Sequence, residues 1–168
     1  MTERAEHIID SWPEESREAA QLVVDKYGEP TESTPSQLVW RNVGPWKRLV
    51  ATKEFYEHNF PAPHIDAVES FIDYAVPTEM ATPLAKYDGS VVVERTAGEV
   101  SARCHDEEAN NLALNLMHDI VQGKKSVMKH TITTPRSSWT FAVASPPPIW
   151  RSCASPREMG PAAPPMSG

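Results

Sequence analysis

His58, His64 and Asp66 lie within nine residues of one another, on a stretch stiffened by Pro61 and Pro63. A His-x-Asp pair can present two ligand atoms to one ion, and a rigid loop lowers the entropy cost of assembling a site. A stable zinc site needs three or four protein ligands, so the remainder would come from His105, Cys104 or His118. The plain alternative is that His64 caps the start of the following strand by hydrogen bonding. Cys104 is the second candidate, as a catalytic thiol together with His64. It stands between Arg103 and His105, just before a helix start, where both the helix end and the neighbouring cation favour thiolate. Against that, a free cysteine at a strand end often points inward and is inert, and no Cys-x-x-Cys partner is present.

A third concentration, Trp40, Arg41, Trp46, Lys47 and Arg48, interleaves aromatics with cations, which can stack bases or hold an anion. The competing reading makes Trp40 and Trp46 core residues and the cations a solvated edge. Phosphate-binding glycine loops, Gly-x-Ser-x-Gly and His-Glu-x-x-His are all missing from the chain, so no cofactor is expected.

The elements that must position these groups follow from periodicity and punctuation. Trp12, Ala19, Leu22, Val23 and Tyr27 recur at helical spacing, with Ser11 and Glu14 in capping-box relation and Gly28 as the stop. Glu29 to Pro35 reads as a linker. Gln37–Val43 and Trp46–Thr52, joined at Gly44-Pro45, predict an antiparallel hairpin. Residues 65–76 fit a strand or a helix; Phe71, Ile72, Tyr74 and Val76 favour the strand. A short helix over Thr78 to Tyr87 and a hairpin of Ser90–Arg95 with Glu99–Cys104 come next. The last helix is capped by Asp106 and runs from Glu107 to about Gln122. The expected order is α-β-β-β-α-β-β-α: an α+β fold, with an antiparallel sheet of about five strands packed by N- and C-terminal helices.

Composition divides the chain into a flexible N-terminus (1–10), a single α+β domain (11–125) and a disordered Pro-rich tail (126–168). Residues 1–125 carry 12 Lys and Arg against 22 Asp and Glu, a net charge of −10, whereas the last 43 residues net +3. An acidic body argues against nucleic acid and against an anionic membrane surface. The tail, with Cys153, Trp139, Phe141, Ile149 and Trp150, reads either as a partner-docking peptide or as non-native sequence translated out of frame. No secretory signal or membrane-length apolar run is read, and two cysteines suit a reducing cytoplasm.

The phrases Val43-Gly44-Pro45-Trp46-Lys47-Arg48, Phe60-Pro61-Ala62-Pro63-His64-Ile65-Asp66, Asp88-Gly89-Ser90-Val91 through Ser101-Ala102-Arg103-Cys104, and Asn111-Leu112-Ala113-Leu114-Asn115-Leu116 give the run from about residue 12 to 125 a likeness. It resembles a group of small bacterial proteins of unassigned function, and the likeness implies no activity. Separately, the element order is similar to that of type III secretion chaperones, which pair as dimers through a helix and bind other proteins. The last helix supports that direction: Ala109, Leu112, Ala113, Leu116 and Ile120 make one apolar face, and Leu114, Met117 and Val121 widen it. The expectation is therefore a non-enzymatic binding or accessory protein. Its partner is another protein or a second copy, met through Leu114, Met117, Val121, Trp46 and Arg48. The alternative is a small enzyme or metal-binding module using His64, Asp66, Cys104 and His105, with His58 as a further ligand.

Overall fold

The computed structural model describes residues 4–124. It is an α+β fold with one antiparallel sheet, as the sequence leads one to expect, but with six strands rather than five. Helices α1 (Ala5–Ile9) and α2 (Glu14–Tyr27) precede β1 (Glu32–Thr34), β2 (Gln37–Val43), β3 (Trp46–His58) and β4 (His64–Asp73). A 3₁₀ turn (Thr78–Met80) leads into α3 (Ala81–Tyr87), followed by β5 (Val91–Glu94), β6 (Glu99–Cys104) and α4 (Glu107–Val121). The sheet order is β1-β2-β3-β4-β6-β5.

Two differences from expectation have physical causes. Residues 5–9, expected as part of a flexible N-terminus, form a helical turn because Ala5, Ile8 and Ile9 are buried in the core. That turn claims Ser11: its hydroxyl donates to the Ile8 carbonyl at 3.0 Å, so no capping box forms and α2 starts at Glu14 behind Pro13. The extra strand comes from the presumed linker, where Ser33 pairs with Leu38 and Glu32 with Val39. The ambiguous segment 65–76 is a strand as far as Asp73. Pro83 falls in the first turn of α3, where a missing N–H costs little.

Register decides which residues face the helices. Directly opposed residues of antiparallel strands share a face. Trp40↔Leu49, Leu38↔Ala51, Ala51↔Val68, Val68↔Cys104, Ser70↔Ala102 and Ile72↔Val100 therefore form one apolar surface. Helix α2 packs over β3 and β4, while α4 packs over β6, β4 and β5 and meets α3. One hydrophobic core results.

Asn110 and Glu107 pin α4 to this layer. Asn110 is wholly buried and donates to the Val68 carbonyl and the Ser70 hydroxyl, both at 2.9 Å. Glu107 accepts from the Trp46 indole N–H (2.6 Å) and the Tyr27 hydroxyl (2.7 Å), and pairs with Lys26 at 2.9 Å. No helix among the described residues is long and apolar enough to cross a membrane. The expectations for residues 126–168, Cys153 included, lie outside the described residues.

Candidate functional site

At the end of the sheet where β3 stops, β4 starts and β6 hands over to α4, the Asn59–Pro63 loop arches over the N-terminal half of α4. Beneath it lies a cavity of about 280 Å³. Its apolar lining comes from Phe60 and Pro61 of the loop, Tyr87 of α3, and Ala109, Leu112, Ala113 and Leu116 of α4. Its polar lining comes from His58, His64, Asp88, Arg103 and Cys104, with His105, Asp106 and Glu108 where β6 meets α4.

Local sequence explains the placement. The Phe60–Pro61 bond is cis, and the two prolines keep the loop out of the sheet. Pairing of β3 with β4 slips between Ala51 and Tyr56 and resumes with His58 directly opposite His64. The two-residue alternation of β4 then sets Asp66 on the same face as His64. Three sequence-chosen residues are thereby gathered: one ligand atom from each of His58, His64 and Asp66 lies within 4.8 Å of the others. His105 does not join them; its Nδ1 lies 3.3 Å from Asp106 Oδ2. His118, weighed as a distant ligand, is instead buried at 2.9 Å from the Tyr74 hydroxyl.

Asp66 is 1 % exposed and sits under the cavity wall. Its Oδ2 accepts from the Ser90 hydroxyl and lies 3.5 Å from His58 Nδ1 and 3.9 Å from Arg103 Nε. Its Oδ1 is buried and accepts no well-directed hydrogen bond, although His64 Nε2 stands 3.2 Å away. Burial acts to raise the Asp66 carboxyl, but the neighbouring imidazole, the Ser90 hydroxyl and the charge of His58 outweigh it and hold the group below its ordinary value. The Asp66 carboxylate and the Cys104 thiol, in hydrogen-bonding contact with the ring, push the His64 imidazole up to about 10 despite its partial burial. Burial raises Asp88, whose carboxylate accepts from the Ser90 backbone N–H at 2.8 Å.

The residues expected to meet a partner are placed elsewhere. Leu114 and Met117 are fully buried by the chain's own core, and Trp46 is buried against Glu107; none offers a docking surface. Val121 is half-buried against the same core. Arg48 lies with its guanidinium 3.7 Å from the Phe71 ring centre and holds Glu99 through two hydrogen bonds. Trp40 is also core, its indole donating to the Gly28 carbonyl at 2.8 Å, so the first hairpin presents no aromatic stacking platform.

Sequence reasoning missed Ser90, Asp88 and Arg103. The first two belong to the Asp88-Gly89 turn, and only the sheet brings them to β4. No family model, no curated protein and no solved structure matches the chain. The element-order likeness to secretion chaperones therefore carries no weight in reading the site.

Proposed function

We propose that this chain binds a small organic molecule with an apolar body and an anionic or carbonyl head in the cavity between the Asn59–Pro63 loop and α4. The single observation that carries this reading is the mixed lining of the cavity. Aromatic and aliphatic groups make up much of it, together with a smaller set of polar and charged groups. Ligand pockets are built this way: apolar burial supplies affinity, and a few placed polar groups supply orientation. The volume of about 280 Å³ lies just below the usual range of roughly 300–1,000 Å³, which suits a small metabolite rather than a dinucleotide. Arg103 supports the choice of head. Its Nε is buried with no hydrogen-bond acceptor, the Asp66 carboxylate standing 3.9 Å off, and its side chain lines the cavity. A guanidinium donor of this kind pairs naturally with a carboxylate.

Anilinonaphthalene sulfonate, an anion with an apolar body, is a suitable probe. The full chain is expected to bind it saturably with a rise in fluorescence. Ala109→Phe, which fills the apolar wall, should abolish that rise while leaving the circular dichroism spectrum unchanged. Arg103→Met should weaken it by about tenfold, the loss of one charge-assisted hydrogen bond. Equal binding by the wild type and Ala109→Phe would refute the proposal.

A further inference from the structure

We infer that His58, His64 and Asp66 form a three-ligand site for a divalent transition metal of the zinc class, beside the cavity. The evidence is in what surrounds each ring. His64 Nδ1 lies 2.7 Å from the Ala62 carbonyl, which can only accept, so the proton sits on Nδ1 and Nε2 is turned to Asp66. His58 Nε2 faces Asp88 Oδ1 at 3.6 Å, and its Nδ1 is turned to Asp66. The outer nitrogen of His64 is thus hydrogen bonded to a carbonyl, that of His58 has a carboxylate nearby beyond hydrogen-bond distance, and both inner nitrogens lie beside Asp66. An outer acceptor of the first kind orients a metal-binding histidine and raises its basicity.

The spacing comes near to what an ion needs. A tetrahedral ion with bonds of about 2.0–2.1 Å sets its ligand atoms about 3.3 Å apart. Each Asp66 oxygen has one imidazole nitrogen beside it, Oδ1 with His64 Nε2 at 3.2 Å and Oδ2 with His58 Nδ1 at 3.5 Å. One ligand atom from each residue lies within 4.8 Å of the others, so the three would close up on a bound ion. The buried Oδ1 supplies the independent sign. This carboxylate oxygen is almost wholly removed from water, and the imidazole nitrogen 3.2 Å away is its near neighbour, an arrangement that a cation shared by the two would hold.

Two imidazoles and a carboxylate select zinc-class ions over magnesium or calcium, which prefer all-oxygen shells. Three protein ligands leave a fourth position for water or a ligand. The competing account is a polar network in which Ser90, His58 and His64 merely satisfy Asp66. There the Ser90 hydroxyl, already donating to Asp66, accepts from His58 Nδ1 at 3.2 Å. A bound cation would have to displace that proton and also the one that the Asp66 carboxylate favours on His64 Nε2.

The two accounts separate by calorimetric titration of the metal-stripped full chain with Zn²⁺ in excess Mg²⁺, which needs no organic ligand and so stands apart from the small-molecule proposal. One equivalent of Zn²⁺ is expected at micromolar protein. His58→Ala and His64→Ala should each weaken binding at least tenfold. Asp88→Asn, which preserves the turn but removes the outer charge, should weaken it about 10- to 100-fold with an unchanged melting curve in chelator. The inference is overturned if no saturable binding occurs. It is equally overturned if binding survives both histidine changes, or if it disappears only with Cys153→Ser in the tail.

Discussion

Single residues show how strongly position governs role in this chain. Asn110 belongs by type to a polar helix face, yet it is completely buried and ties α4 to β4 through the Val68 carbonyl and the Ser70 hydroxyl. Removing it strands both acceptors away from water, and an unsatisfied buried polar group costs about 1–3 kcal/mol. Asn110→Ala is therefore expected to lower the urea midpoint by an amount equivalent to roughly 2 kcal/mol at unchanged slope. Glu99 has the opposite character: a nearly buried charge that is fully partnered. Burial acts to raise its carboxyl, but the hydrogen bonds from Arg48 and Lys47 prevail and leave it lowered. A carboxylate lowered on folding contributes stability above its unfolded value and loses it as pH falls through the folded one. Stability measured against pH should thus decline on the acid side of the ordinary Glu range, and Glu99→Gln should flatten that decline. An unchanged slope would mean that Arg48 and Lys47 do not stabilise the charged form.

At the level of elements, ends and turns carry the specificity. The α4 helix is started by Asp106, whose carboxylate accepts from the Ala109 backbone N–H at 2.8 Å, as the sequence indicates. Asp106→Ala should cost about 1 kcal/mol in chemical denaturation. Because Ala109 lines the cavity, the same change should also weaken probe binding. Two glycines at turns give a controlled comparison. Gly44 and Gly123 both adopt positive φ, +53° and +68°. An added methyl would meet nothing at Gly123 but would stand 2.6 Å from the Tyr27 hydroxyl at Gly44. Gly123→Ala should cost about 1 kcal/mol for the left-handed backbone alone. Gly44→Ala should cost clearly more, because Tyr27 is held by Glu107 and cannot retreat freely. Equal losses in parallel urea melts would contradict the Tyr27 packing.

For the whole molecule, the broad apolar girth of α4 is the feature that suggested a second copy in the sequence. In the fold that girth is divided: Leu114, Met117 and Ile120 are buried in the core, and Ala109, Leu112 and Leu116 wall the cavity. Sedimentation equilibrium of the full chain at micromolar concentration is expected to return a single-chain mass, and a dimer would require an interface away from Leu114 and Met117. Fold class, the two hairpins and the capped last helix were legible because they depend on local periodicity and turn residues, whereas Trp46, expected to meet a partner, is buried by the core. Candidate ligands were legible only as types. His58 and His64 are six residues apart, and nothing local says whether they face one another. The slip in pairing between Ala51 and Tyr56 settles that, by setting His58 opposite His64. Ser90, Asp88 and Arg103 reach Asp66 only because β5 and β6 follow β4 across the sheet. The sequence by itself determined which elements form and which residues have ligand chemistry, since both are properties of short stretches. Tertiary structure alone decided which of those side chains converge, because strand register and helix docking are set by burial summed over the whole core.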